Sequence, residues 1–285
     1  NQMTWIGAAM VALTLTACAP KAEKTAAAPA AAGAPAAPMT IKFGSDASYA
    51  PFEFTAPSGE ITGFDIEIAK AMCEELKATC TFQNQDWDGI IPSLLAKKYD
   101  VIASSMDITP ERQKSVAFTQ KIWQAPSKFV AKEGSTLQTT PEGLKGKMVG
   151  VQQGTSQDFY LTKYYKDSVI KRYKTLDAAQ NDLVNKRVEV VFADGVTVTD
   201  GFLKKPTGKG FAQVGEDVSS SADKAILGDG TGFAVRKEDT ELLANLNTAF
   251  DAIRANGKYK AIADKYFNFD IYGQYNYLKT KYPTC

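Results

Sequence analysis

The order of apolar runs and polar turns predicts an α/β fold with mostly parallel sheets, divided between two lobes. Short apolar runs end in polar turns that lead into helical patterns, most clearly at residues 99–112, YDVIASSMDITPER. Here residues 101–103 form the predicted buried strand. The 285 residues are enough for two separate cores, because one domain takes about 100–200 residues.

Composition excludes several classes of function. The formal net charge of +1 argues against nucleic acid as a partner. The absence of histidine excludes Ser-His and Cys-His catalysis and histidine-ligated metal sites. We therefore expect no metal and no other cofactor.

Residues 1–18 are predicted to be a lipoprotein export signal. Residues 5–15 are apolar, too short to cross a bilayer and typical of a signal-peptide core. They lead into Leu-Thr-Ala-Cys, which resembles a bacterial lipobox whose cysteine, here Cys18, is lipidated. Residues 1–4 lack Lys and Arg, so an ordinary cleavable signal or a buried N-terminal helix is the alternative. Lipidation would anchor the protein on the extracytoplasmic face of a membrane, in the periplasm of a two-membrane cell.

Residues 19–38 are predicted to be a tether between that anchor and the folded body. Residues 26–38 are nearly all Ala, interrupted by Pro and Gly. A stretch without large apolar side chains cannot form a core, and an extended Pro-rich chain of this length reaches on the order of 60 Å.

The first lobe is predicted to consist of residues 39–124 and 228–270. Residues 39–45 alternate as a strand, and residues 64–77 carry apolar side chains at helical spacing. Cys73 and Cys80 are close enough in an exported protein for a disulfide between that helix and a strand at 81–83. A metal-binding pair is the poorer alternative, because two thiolates without further ligands make an incomplete site.

A helix is predicted directly after the SSMD turn. Thr109 suits the N-cap and Pro110 the first helical position. Arg112 is unusual there, since a cation in the first turn opposes the helix dipole at a cost of roughly 0.3–1 kcal/mol. An anion docked beside Arg112 would explain it, whereas a surface arginine paired with Glu111 or Asp107 is the alternative.

The second lobe is predicted to span residues 125–227. Its strands are expected at 126–131, 147–151 and 188–192, and its helices after Thr155 or Ser156 and at 176–183. The chain then returns through a strand at 233–235 and helices at 242–253 and 259–266. The Tyr-rich tail, residues 271–285 with Cys285, has no assignment: it packs on the body or pairs with another thiol.

Four polar residues follow predicted strands: Asp46, Ser104, Gln152 and Asp194. Ligands of open α/β sheets gather beyond the carboxyl ends of the strands. Four such positions favour one binding site over four separate helix caps.

The run GFDIEIAK at 63–70, the cysteine pair, IPSL at 91–94 and SSMDITPER together resemble the periplasmic amino-acid-binding proteins of ABC importers, solute-binding family 3. The likeness covers residues 40–273 and is strongest to lysine/arginine/ornithine, histidine and arginine binders. It implies the type II two-lobe fold, with each sheet flanked by helices and a ligand in the cleft. It also implies hinge closure over one amino acid and delivery by a monomer to permease subunits.

The resemblance implies a role for each polar residue at this edge. Arg112 would bind the ligand α-carboxylate and Asp194 its α-ammonium. Trp87 and Tyr49 would enclose the ligand side chain by stacking. The remaining implied contacts are N–H groups near Asp107, Thr155 and Ser156 for the carboxylate, Ser105 for the ammonium, and Asp46, Ser104 and Gln152 for the far end of the side chain.

Charge selects among amino acids. Asp46, Asp107 and Asp194 against Arg112 leave an excess of negative charge, which favours arginine, lysine or ornithine. Histidine and glutamine are the alternative ligands. Some relatives carry Ser or Thr at Asp107 and an apolar residue at Gln152.

Other functions occur on the same fold. A dehydratase of cyclic acids would need a poised acid, for which Glu53 or Asp107 could serve. A lytic transglycosylase would need a catalytic domain for which the tail is too short. A sensory or adhesive lipoprotein is the third alternative to import.

Overall fold

The structure, a computed structural model, describes residues 39–273 of the chain. Several predictions concern residues outside this range and are not addressed by it. They are the lipoprotein signal at 1–18 with Cys18, the tether at 19–38, and the tail beyond Gly273 with Cys285.

Thirteen strands and eight α-helices lie within the described residues. The strands are β1 Thr40–Ser45, β2 Ser48–Tyr49, β3 Glu53–Thr55, β4 Ile61–Thr62, β5 Thr79–Asn84, β6 Val101–Ile102, β7 Val116–Phe118, β8 Ser127–Lys132, β9 Met148–Gln152, β10 Val169–Tyr173, β11 Val190–Asp194, β12 Phe211–Val218 and β13 Ala234–Arg236. The helices are α1 Phe64–Glu75, α2 Ile90–Leu95, α3 Pro110–Gln113, α4 Ser156–Tyr164, α5 Leu176–Val184, α6 Lys224–Leu227, α7 Thr240–Ala255 and α8 Lys258–Tyr266.

Two five-stranded sheets form the two lobes. The first sheet has the order β5-β1-β6-β13-β7 and the second β10-β9-β11-β8-β12. In each sheet four strands share one direction, and one strand, β13 or β8, runs against them. The reversed strand is the first to enter its sheet after the chain crosses from the other lobe. The predicted two-lobe fold with mostly parallel sheets is confirmed.

A third, small antiparallel sheet was not predicted. It joins β2, β3 and β4 in the first lobe, where the sequence indicated only a polar and aromatic turn. Strands of two or three residues are too short to show an alternating pattern, so the hairpin leaves no periodic signal. This sheet places Tyr49 and Glu53 beside the cleft.

Helix α1 packs against α7 and α8 on one face of the first sheet. Its buried residues include Ile66, Ala69 and Cys73, which recur at the predicted helical spacing. The helix ends at Glu75, two residues earlier than predicted, because Lys77 adopts a left-handed conformation with φ of 51°. The chain then turns into β5.

The predicted disulfide is present between Cys73 on α1 and Cys80 on β5. It links two neighbouring elements of the first lobe on the side away from the cleft. Closing such a short loop lowers the conformational entropy of the unfolded chain, which stabilises the folded protein by roughly 2–3 kcal/mol.

We therefore expect the double variant Cys73→Ser/Cys80→Ser to lose about 2–3 kcal/mol of unfolding free energy. Urea titration followed by circular dichroism measures this loss, and ligand affinity should stay unchanged. An equal stability of variant and wild type under oxidising conditions would contradict the prediction.

Two chain segments, residues 119–126 and 219–233, connect the lobes. They are paired by backbone hydrogen bonds from Ile122 N to Thr231 O (2.8 Å) and from Thr231 N to Trp123 O (2.9 Å). Gly232 N also donates to Met106 O (3.0 Å), which ties the SSMD turn to the second segment. The predicted lobe boundaries, after residues 124 and 227, fall within these two segments and stay predictions.

Candidate functional site

The strand ends predicted to form a site meet around one cavity in the cleft, with about 350 Å³ of space, part of it open to solvent. Asp46 follows β1, Ser104 and Ser105 follow β6, and Gln152 and Asp194 end β9 and β11. Ten of the eleven predicted ligand residues line the cavity, and the eleventh, Ser156, is buried with its side chain beside the Asp107 carboxyl. The lining residues are Asp46, Tyr49, Glu53, Trp87, Ser104, Ser105, Asp107, Arg112, Gln152, Thr155, Gln157 and Asp194.

The Arg112 side chain is largely enclosed in the cleft and not at the surface, although it lies beside Asp107 as the alternative expected. Thr109 caps α3, with its hydroxyl accepting from Arg112 N (3.3 Å), and Pro110 opens the helix as predicted. The Arg112 side chain is 10 % exposed, and its guanidinium donates to Asp107 O (2.9 Å). Glu111 instead pairs with Lys114 at the surface. Burial lowers the pKa of Arg112, while the nearby Asp107 carboxyl favours its charged form.

The α4 helix begins at the opposite wall of the cavity. Thr155 is its N-cap, with Oγ1 accepting from Asp158 N (3.2 Å) and donating to Gln152 O (2.8 Å). The N–H groups of the first turn therefore face the cleft, where a helix N-terminus favours an anion. The Arg112 guanidinium lies 3.5 Å from Gly154 O, just before this helix. An anion between α4 and Arg112 would be bound from both lobes.

At another end of the cavity, Asp46 bridges the lobes. Its carboxylate accepts from Ser48 Oγ (2.8 Å) and, across the cleft, from Gln152 Nε2 (2.7 Å). Gln152 is oriented by a second hydrogen bond to Lys174 O (3.1 Å). Burial raises the pKa of Asp46, and Asp86 and Asp177 raise it further. This buried acid favours a cationic partner.

Asp194 is a buried carboxyl at the end of β11. Its Oδ1 accepts from Val196 N (3.0 Å). Burial raises the pKa of Asp194 to about 8, and the neighbouring Asp107 and Asp65 add to that effect. Asp194 therefore favours its protonated form near neutral pH, and a cation beside it would displace that proton.

Trp87 and Tyr49 form the aromatic walls. Trp87 lies in a short helical turn at Trp87–Gly89, and the Arg112 guanidinium sits 5.2 Å from the centre of its ring. Tyr49 lies on β2, and burial raises the pKa of its hydroxyl well above the ordinary value. Both rings line the same cavity as Asp46.

A buried pair of acids, Glu53 and Asp65, supports the SSMD turn from below. Asp65 accepts from Ser105 N and from Trp123 Nε1 (both 2.9 Å), and Glu53 accepts from Ser105 Oγ (3.0 Å). Burial raises the pKa of Glu53 well above its ordinary range and that of Asp65 to about 7, and a side-chain hydrogen bond joins them. Glu53 therefore carries the proton that the two acids share.

Sequence reasoning missed the binding position of Gln157 and the supporting role of Asp65. Gln157 lies in the first turn of α4, and its Nε2 donates to Ser127 Oγ (2.9 Å). The sequence did contain one signal for Gln157: it lies just after Thr155, the helix cap that faces the cleft. Asp65 gave no local signal, because its partners Ser105 and Trp123 are far away in the sequence.

Two further features bear on the class of protein. Within residues 39–273, His, Cys, Asp and Glu side chains form no group of three or more that could hold a metal ion. In the same range, helices long and apolar enough to span a membrane are absent.

Comparison with known proteins identifies relatives with the same kind of fold. The profile of the bacterial extracellular solute-binding proteins, family 3, matches residues 41–269. An L-arginine-binding protein of Pseudomonas aeruginosa is 45 % identical over 240 residues, covering 84 % of this chain and 92 % of the relative. A histidine-binding periplasmic protein of Escherichia coli is 44 % identical over 240 residues, covering 84 % and 91 %.

A solved structure agrees. The periplasmic binding protein of Salmonella typhimurium described for its high arginine specificity superposes with a TM-score of 0.74 at 36 % identity. The match covers 81 % of this chain and 100 % of that chain. The predicted family resemblance is confirmed.

Proposed function

Because the chain belongs to the bacterial extracellular solute-binding proteins of family 3, we propose that it captures a basic L-amino acid and delivers it to an ABC permease. Arginine is the favoured ligand, followed by lysine and ornithine. Two similar proteins are named for binding arginine and histidine. The charge of this cavity favours a ligand whose side chain is a permanent cation.

The charge of the cavity lining is the observation that carries this proposal. Four carboxyl groups, those of Asp46, Glu53, Asp107 and Asp194, line it together with a single guanidinium, that of Arg112. With Glu53 protonated, the carboxylates of Asp46, Asp107 and Asp194 outnumber the Arg112 guanidinium once a bound ammonium has displaced the proton of Asp194. An arginine zwitterion brings a net positive charge that offsets this excess of negative charge, whereas glutamine leaves it and glutamate enlarges it. An uncompensated buried charge costs several kcal/mol.

The geometry suggests one orientation of the ligand. Its α-carboxylate would lie between the Arg112 guanidinium and the N-terminus of α4, and its α-ammonium against Asp194. The side chain would pass Trp87 and Tyr49. Its guanidinium would reach Asp46, which Gln152 holds in place.

Contacts across the cleft support a mechanism of hinge closure. The Asp46–Gln152 hydrogen bond and the approach of Arg112 to Gly154 join the two lobes directly. These contacts belong to a closed form, and opening about residues 119–126 and 219–233 would break both. A permease would then recognise the closed, loaded protein. Lipidation of Cys18 would hold this monomer at the membrane.

We propose binding without turnover. Of the two acids that a dehydratase could use, Glu53 shares its proton with Asp65 and accepts from Ser105. Burial raises the pKa of Asp107, and the Arg112 guanidinium 3.9 Å away opposes that shift. Both acids thus already have partners within this chain.

The test is thermal unfolding of the purified protein, freed of bound ligand by unfolding and refolding, with each amino acid and ornithine. A ligand at about 100 times its Kd should add roughly 2.7 kcal/mol to the stability. We expect the largest shift with arginine, abolished by Arg112→Ala and kept by Arg187→Ala, a surface control. Unchanged stability with every amino acid would overturn the proposal.

The affinity for arginine is expected to rise with pH between about 5 and 8. The pKa of Asp194 is raised from 3.8 to about 8 in the empty protein, so binding of the α-ammonium must displace its proton. Each pH unit below about 8 then costs up to about tenfold in affinity. The raised pKa values of Asp46 and Asp107 act in the same direction.

Isothermal titration calorimetry at several pH values, in buffers of different ionisation enthalpy, measures both the affinity and the released proton. Glu60→Gln, which removes an exposed carboxylate, serves as the control and should keep the wild-type profile. A flat affinity from pH 5 to 8 would contradict this assignment of Asp194.

A further inference from the structure

A second cavity adjoins the first at the end where Asp194 lies. It offers about 870 Å³ of space, part of it open to solvent, between the two lobes and beside the connecting segments. Asp107, Gln157 and Asp194 line both cavities, whereas Arg112 and Thr155 line only the first. The site proposed for the α-ammonium thus borders the second cavity, and the site proposed for the α-carboxylate does not.

The second cavity is acidic, and its other lining residues are uncharged polar and apolar residues. Within residues 39–273, its charged lining residues are Asp107, Asp194 and Asp270, and Lys and Arg are absent from the lining. Cations lie close by outside this lining: Arg112 is 3.9 Å from the Asp107 carboxyl, Lys128 acts on Asp194, and Lys121 acts on Asp270. The serines at 219–221 add hydroxyl groups to the wall.

This arrangement limits the position at which a ligand longer than one amino acid could carry its additional group. Extension through the α-carboxyl group would remove the carboxylate that Arg112 needs. Extension through the α-nitrogen leaves that carboxylate in place and directs the new group past Asp194 into the second cavity. A peptide N–H at that nitrogen can still donate a hydrogen bond to Asp194.

The charge of the second cavity then selects the added group. An aminoacyl group ends in an ammonium, which Asp194 and Asp270 would favour. An N-carboxyalkyl group would instead bring a carboxylate among three aspartates without a lining cation, which is unfavourable. The acidic wall therefore discriminates between two classes of N-substituted amino acid.

We propose that the protein also binds dipeptides with a basic C-terminal residue, whose N-terminal residue occupies the second cavity. This inference rests on the proposed function, since it uses the same orientation of the basic residue. It widens the substrate class from free basic amino acids to aminoacyl-arginine and aminoacyl-lysine.

The test is calorimetry of the ligand-freed protein with arginine, glycyl-arginine, arginyl-glycine and N-carboxymethyl-arginine. We expect arginine and glycyl-arginine to bind, and the other two to bind at least about 10²-fold more weakly. Mass spectrometry of the ligand released by denaturing the complex must return intact dipeptide, which excludes binding of contaminating free arginine. Asp270→Lys should weaken glycyl-arginine at least tenfold without affecting arginine. Asp264→Lys, at another exposed position, should change neither.

The outcomes separate the two proposals. Binding of arginine without glycyl-arginine overturns the dipeptide inference and leaves the proposed function intact. Failure of both ligands overturns the proposed function and the inference with it. Equal binding of glycyl-arginine by wild type and Asp270→Lys also overturns the inference, because the ammonium would then lie elsewhere.

Discussion

Replacing Asp194 by asparagine is expected to weaken arginine binding by about 10²-fold or more. The carboxylate is buried at the end of β11 and is the proposed partner of the ligand α-ammonium. Removing one member of a buried, hydrogen-bonded charge pair typically costs 2–5 kcal/mol, about 30-fold to 5,000-fold in affinity. The asparagine oxygen can still accept from Val196 N, so the empty protein should fold normally.

Calorimetry of Asp194→Asn with arginine measures this loss, and thermal unfolding without ligand checks the fold. Asp264→Asn removes one negative charge from an exposed position and should bind arginine as the wild type does. Asp194→Glu keeps the charge and should recover part of the affinity. Wild-type affinity in Asp194→Asn would show that the α-ammonium lies elsewhere.

Replacing Asp65 by asparagine is expected to reduce both stability and arginine affinity. The two oxygens of Asp65 accept from different donors, Ser105 N and Trp123 Nε1. An amide offers one oxygen and one NH₂ group, so one of these donors would face another donor. A buried donor left without an acceptor costs about 1–3 kcal/mol. Ser105, which has a left-handed φ of 48°, would also lose the contact that fixes the SSMD turn.

Glu53→Gln is the matched comparison. Glu53 already holds the shared proton, so glutamine keeps both an oxygen for Ser105 Oγ and a donor for Asp65. We expect Glu53→Gln to retain affinity within a few fold and Asp65→Asn to lose at least tenfold. Thermal unfolding and calorimetry on both variants provide the readouts. Equal damage by both substitutions would contradict the assignment of the proton to Glu53.

Local signals in the sequence predicted much of the fold. The Thr109 and Thr155 caps, the Pro110 position, the apolar spacing of α1 and α7 and the short Cys73–Cys80 loop each depend on residues close together in the chain. The observed helices and strands therefore differ from the predicted ones mainly by one to three residues at their ends. The rule that ligands gather at the carboxyl ends of strands predicted which polar residues meet around one cavity. The binding roles of these residues are proposals.

The sequence by itself determined the α/β alternation, the two lobes and the group of polar residues at the cleft. Tertiary structure alone decided that Arg112 is buried, that Glu53 and Asp65 share a proton, and that a second acidic cavity adjoins Asp194. The reason is distance along the chain. Gln152 and Asp46 are 106 positions apart, and Ser105 and Asp65 are 40 apart. Burial and charge at such contacts exist only once the chain has folded, so the local sequence pattern does not show them.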